Sequence, residues 1–137
     1  MTKQLFLSVA VLLAATAFGF AQDVPKGCPT GHAGHDMGMM GDMGMMTDMS
    51  GMTDMQKAYA ESMNKMHPAM MAGMMADDPD VAFVCGMIPH HQGAIDMAKV
   101  VLKYGKDQWV KDLAQKIIDE QTGEIADMEK WLAGHAK

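Results

Sequence analysis

His90 and His91 are adjacent, and the run around them can also do chemistry: Met87-Ile88-Pro89-His90-His91-Gln92-Gly93-Ala94-Ile95-Asp96-Met97-Ala98. Imidazole and thioether together form a ligand set for copper, and the soft thioether favours Cu(I). A lone buried histidine is ordinarily explained by a hydrogen bond to a polar neighbour. A pair flanked by methionines on the same helical face reads instead as a metal site. At 100° per residue Met87, His90, His91, Ala94, Met97 and Ala98 share one arc, which Phe83 and Val101 extend. Both histidines are therefore expected on the buried face of a helix.

Three helices are expected to position this run, in an all-α antiparallel bundle. The first covers about 54–75, with Thr53 as N-cap. Its face is Met52, Met55, Tyr59, Met63, Met66, His67, Met70 and Met74, with Met71 beside them. Pro68 predicts a kink or break near His67. The second begins with Asp78 as N-cap and Pro79 as the first helical residue, and stops at Gly105. The third starts at Asp107 and runs to about Ala133, before Gly134. Its apolar face is Val110, Leu113, Ala114, Ile117, Gln121, Ile125, Met128 and Leu132.

Short connections make consecutive helices antiparallel neighbours. Folding the chain about the two turns sets His67 opposite Pro89, Met66 opposite His90, His90 opposite Gln121 and Met87 opposite Glu124, to within about one turn. Met63, Met66, His67, Met70, Met87, His90, His91, Gln121 and Glu124 then converge on one layer. Gln121 is the polar exception on its apolar face. A buried unpaired amide costs on the order of 1–3 kcal/mol, and a histidine ring N–H opposite would satisfy it and fix the tautomer. Gln121 and Glu124 are therefore candidates for orienting the ligands. Pro89 leaves the Cys85 carbonyl without its helical donor. That either shapes the site or is a packing kink only.

The N-terminal third has another character. Lys3 followed by apolar Leu5 to Phe20 reads as a secretory signal peptide over 1–21, cleaved after Ala21, which directs the chain to the periplasm. Segment 22–52 is rich in Gly, Met, Asp and His without apolar periodicity, so it is expected to be a disordered tail. It carries His32 and His35, then Met37, Met39, Met40, Met43, Met45 and Met46, then Met49 and Met52, with Met55 continuing the three-residue spacing. Methionine usually fills gaps in a core, but such a tail has no core to fill. Thioethers on flexible backbone can wrap Cu(I) or Ag(I). They need no deprotonation and form no disulfides. The domain proper is then 53–137.

Composition excludes several classes. The chain has 137 residues, a formal charge of −6, 19 methionines and 4 phenylalanines. It has no arginine, which argues against nucleic acid. No lipid anchor or membrane span is expected beyond the signal segment. Export makes a disulfide between Cys28 and Cys85 chemically feasible. Cys85 lies off the histidine arc, and the pairing is left open by the sequence.

From Phe83 through Met87-Ile88-Pro89-His90-His91-Gln92-Gly93-Ala94 to Ala98, and on through Leu113, Ile117, Gln121, Glu124, Met128 and Leu132, the chain resembles the CopM-like family of exported Met/His-rich proteins. That domain family has long been described as of unknown function and has a ferritin-like helical bundle. The resemblance covers roughly 63–132. It implies periplasmic copper binding, with silver as a mimic, in copper resistance or trafficking, with Met87, His90, His91 and Met97 as ligands. The family bundle has four helices; three are read here, the fourth coming from the tail or from a split at Pro68.

The leading expectation is a non-enzymatic copper protein, a periplasmic buffer or carrier of Cu(I). Cu(II) at His32 and His35 is left open, and a copper exporter or another periplasmic copper protein would be the partner. A di-iron oxidase needs Glu-x-x-His pairs, and the sequence has none. A cuprous oxidase is the other enzymatic reading, although so many thioethers favour keeping copper reduced. The third reading is a methionine-rich protein-interaction module with no metal dependence.

Overall fold

The structure, a computed structural model, describes residues 25–29 and 48–135. Three helices, α1 (Asp54–Gly73), α2 (Pro79–Tyr104) and α3 (Gln108–His135), form an all-α antiparallel bundle. Among the described residues there is no strand.

The helix starts follow local chemistry. Thr53 caps α1 in a reciprocal box: its Oγ1 accepts from the Gln56 N–H at 3.3 Å, while Gln56 Oε1 accepts from the Thr53 N–H at 2.9 Å. Asp78 Oδ1 accepts from the N–H groups of Asp80 and Val81, and Pro79 follows it at the first position. Asp107 Oδ1 accepts from the Val110 N–H at 3.0 Å. Gly105 ends α2 in extended backbone rather than the left-handed conformation. Its lack of a Cβ matters because one would press on the Val101 carbonyl.

Of the kink or break expected near His67 the break is absent: helix α1 runs through Pro68 to Gly73. Pro68 is exposed, and Met66 and Gly73 on either side of it are buried and pack on α2. Tertiary packing thus holds both halves of the helix against its neighbour. Gly134 lies inside α3, on an exposed last turn where nothing opposes its helical backbone.

Helices α1 and α3 both pack on α2 and not on one another. The central helix therefore buries two flanks, which explains its buried set of Cys85, Gly86, Ile88, Pro89, Gly93, Ile95, Ala98 and Val100. The arc expected to be buried lies mainly between those flanks. Phe83 is 64 % exposed and His90 is exposed, while Met87, His91, Ala94 and Met97 are half-buried. The expectation of two buried histidines is thus overturned for His90. A single-face wheel assumes one packing partner, and α2 has two.

Small residues set the α1–α2 approach. A Cβ at Gly93 would fall into the Met66 side chain, and one at Gly86 into Met74. Met66 therefore stands opposite Gly93, three residues from the expected His90. On the other flank His91 meets Glu124, so the α2–α3 register is one turn from the expected pairing of Met87 with Glu124.

The core lies toward the α1–α2 turn: Cys85, Ile88 and Leu132, joined by Cys28, Val81, Val84, Ile125, Met128 and Trp131. Cys28 and Cys85 form a disulfide, with Cα atoms 5.6 Å apart. Residues 25–28 form a turn closed by the Cys28 N–H to the Pro25 carbonyl, with Gly27 at φ 98°. Within the segment read as a tail, 25–29 is therefore stapled to α2. The stretch 48–52 makes a second such turn, from the Met52 N–H to the Met49 carbonyl with Gly51 at φ 84°. There the Ser50 side chain and backbone N–H hold the Asp48 carboxyl below its ordinary range. The signal segment, residues 30–47 and the last two residues lie outside the described residues. No helix among the described residues is long and apolar enough to cross a membrane.

Candidate metal centre

The α2–α3 flank opens into a cleft of about 360 Å3 lined by Phe83, Met87, His91, Glu124, Asp127 and Met128. The spacing of four residues from Phe83 to Met87 to His91 stacks those side chains on one side of α2. Glu124, Asp127 and Met128 are related by three and four residues and do the same on α3. Two methionines and one histidine thus line the same cleft, together with the exposed acidic residues Glu124 and Asp127.

His91 is the best-fixed group. Its side chain is 12 % exposed. Its Nδ1 lies 2.9 Å from the Met87 carbonyl oxygen on its own helix. Its Nε2 lies 2.7 Å from Oε2 of Glu124 on α3, and that glutamate side chain is 60 % exposed. One ring nitrogen is thus held by half-buried backbone and the other by a solvent-exposed carboxylate. His90 stands beside it, ring centroids 5.8 Å apart, on the exposed face.

The expected partnership of a histidine with Gln121 is not made. Glu124 takes that place, and Gln121 Oε1 is buried with no hydrogen-bond partner among the described residues. The register shift of one turn accounts for this.

Of the other expected ligands, Met66 is 8 % exposed and lies over Gly93, a packing position. His67, Met70 and Met71 are half-buried, while Met63 and Met74 are 38 % and 54 % exposed. Five of the six stand on α1, Met74 caps its C-terminus, and none lines the cleft. Met97 is half-buried on α2, further along the helix. Met49 and Met52 are half-buried before α1, and Met55 is exposed in its first turn. That turn is at the opposite end of the layer, about 25 Å from the cleft at 1.5 Å per helical residue. The single converging layer is thus resolved into the α2–α3 cleft and a separate α1 set. His32, His35, Met37, Met39, Met40, Met43, Met45 and Met46 lie outside the described residues.

Three cleft residues escaped the sequence reading as site residues: Phe83, Asp127 and Met128. Met128 was assigned to the apolar face of α3, yet it is also four residues from Glu124, a spacing that marks neighbours on a helix. Among the described residues no three His, Cys, Asp or Glu side chains converge as a metal-binding group. What the cleft brings together instead is two methionines and one histidine along its lining.

A three-helix layer with such a cleft defines a class, a small helical domain with soft donors on one flank. The particular family follows from comparison: residues 20–132 match the family described as Domain of unknown function (DUF305), and the chain belongs to it. It is also similar to "Uncharacterized protein L153" of Acanthamoeba polyphaga mimivirus, at 43 % identity over 53 residues. That stretch is 39 % of this chain and 35 % of the relative, so the match spans about a third of the relative's length.

Proposed function

We propose that the protein is a periplasmic copper-binding protein of the CopM-like kind, a buffer or carrier that takes Cu(I), and Ag(I) as its mimic, without catalysing a reaction. The observation that carries this reading is the meeting of Met87, Met128 and His91 in one cleft. Two thioethers and an imidazole suit a soft monovalent ion. The methionines of 37–55 supply a second set of the same donor type, and their number exceeds anything that packing of this small core requires. The exposed methionines of α1 would extend the same capacity.

The test is an anaerobic Cu(I) titration of the purified protein against a chromophoric chelator. A Met87→Leu/Met128→Leu variant is expected to lose the tightest ion and to keep the rest. Replacing Met37, Met39, Met40, Met43, Met45 and Met46 by leucine is expected to do the reverse. A protein that cannot compete with the chelator at all would overturn the reading.

One observation favours a second reading. Met63, Met74, Met75 and Phe83 are all substantially exposed, and flexible methionine surfaces suit promiscuous protein contacts. Partner binding that ignores added copper and chelator alike would favour that interaction module.

A further inference from the structure

We propose that Glu124 selects the oxidation state of the copper held at His91, disfavouring Cu(I) and favouring Cu(II). The proposal rests on the copper reading above and adds to it a role for a residue that reaches the ion through the histidine.

The geometry fixes which nitrogen is offered. His91 Nδ1 is turned onto the Met87 carbonyl of its own helix, one turn back. A metal at that nitrogen would have to break the ring away from backbone. Nε2 is the nitrogen turned toward α3, where Glu124 Oε2 holds it at 2.7 Å. An ion taking Nε2 displaces the proton shared there with Glu124 to solvent and ends that hydrogen bond. Glu124 is free to respond, because its side chain is 60 % exposed.

The two copper ions respond differently to what is left behind. Cu(I) is soft and gains little from a carboxylate, so for Cu(I) the broken charge-assisted bond is a net loss. Cu(II) is harder and accepts carboxylate oxygen beside imidazole nitrogen. For Cu(II) the same side chain exchanges a hydrogen bond for a coordination bond. Glu124 thus pulls the cleft toward Cu(II), and Met87 and Met128 pull it toward Cu(I). Asp127 lines the same cleft without a hydrogen bond to His91, so it contributes negative charge only.

The variant that isolates the effect is Glu124→Gln, which keeps the shape and an acceptor oxygen but removes the charge. Affinities for Cu(I) under nitrogen and for Cu(II) in air are read by chelator competition, with the Cu(II) electron paramagnetic resonance spectrum as a second readout. E124Q is expected to bind Cu(I) about tenfold more tightly and Cu(II) about tenfold more weakly, the scale of one charged hydrogen bond or ligand. The Cu(II) spectrum should keep its nitrogen coupling and lose oxygen character. Opposite signs are the signature, since a residue that merely props α3 against α2 would weaken both ions or neither. Equal shifts in both, or the same pair of shifts in Asp127→Asn, would overturn the proposal. If the Met87→Leu/Met128→Leu variant instead binds Cu(I) as the parent does, the cleft is not a copper site and this proposal falls, whereas the copper reading itself falls only if the parent protein fails to compete for Cu(I) at all.

Discussion

Gly73 lies against the carbonyl of Cys85, the backbone oxygen in α2 that Pro89 deprives of its helical donor. A Cβ at Gly73 would land on the Cys85 carbonyl oxygen and carbon. Pro89 is itself buried. The proline and the glycine are thus two halves of one contact: the first frees an acceptor, and the second lets α1 close over it. The disulfide at the same Cys85 brings the 25–29 segment to that place.

Gly73→Ala is expected to destabilise the fold by about 1–3 kcal/mol, the cost of forcing extra volume into a packed contact. The obstacle is backbone, so no side chain can swing away. Gly123→Ala is the control, since its Cβ would meet nothing within 4 Å. On an exposed helical turn that change is expected to stabilise by about 0.4–1 kcal/mol. Urea unfolding of both variants checks the pair, and two shifts of the same sign would refute the contact.

Removing the disulfide is expected to be more costly. Cys28 and Cys85 are 57 residues apart, and loop-closure entropy for such a span is worth about 4 kcal/mol. Cys28→Ser/Cys85→Ser should therefore unfold at much lower temperature than the parent, and reductant should lower the parent's Tm toward the variant's. A Tm that ignores reductant would mean that the unfolded chain gains no freedom on opening the link.

The helices were legible because their signals are local. Thr53, Asp78-Pro79 and Asp107 each mark a start, and each caps its helix through its own side chain. The antiparallel order followed from the short turns. Both neighbours of α2 followed from the turns too; what could not be read is that α1 and α3 pack on its two flanks without packing on one another. With the two in contact over the histidine arc, Phe83 to Met97 would be inside; with the two apart the arc lies between them, and His90 faces solvent. Register was legible to within a turn. The remaining residues were decided by where Gly86 and Gly93 let methionines sit, which turn lengths do not encode. A break at Pro68 and a stop before Gly134 are not realised, because a local breaker yields to packing or stands where nothing tests it. The pairing of Cys28 with Cys85 depended on a fold in which 25–29 reaches the core, and no spacing rule supplies that.

Gln121 offers a direct energetic test. Its Oε1 is buried without a partner among the described residues, and its neighbours on the α3 flank are apolar. Replacing an unsatisfied polar group by an apolar one of similar size is neutral or stabilising. Gln121→Leu is expected to stabilise by about 1 kcal/mol, raising Tm by roughly 4–8 °C for a domain of this size. Calorimetry of the metal-free protein checks it. A clear fall in Tm would show that the amide has a partner after all.

Oxidation of the methionines ties exposure to function. Thioether sulfur is a soft donor, and its sulfoxide is a polar group that no longer is. Susceptibility should follow access. Among the described methionines, Met74 at 54 % and Met75 at 59 % exposed are expected to oxidise first, with Met63 and Met55 close behind, and Met66 at 8 % last. Mild peroxide with peptide mass mapping gives that order. Cu(I) capacity measured on the same samples should fall in two stages: an early loss as the exposed methionines react, and a later loss of the tightest ion as the half-buried Met87 and Met128 follow. Preloading with Cu(I) or Ag(I) should slow Met87 and Met128 specifically, because a bound ion occupies the sulfur lone pairs that peroxide attacks. Protection that falls on Met66 rather than on the cleft pair would move the site away from the α2–α3 flank. Full Cu(I) affinity after oxidation of Met87 and Met128 would show that thioethers are not the ligands.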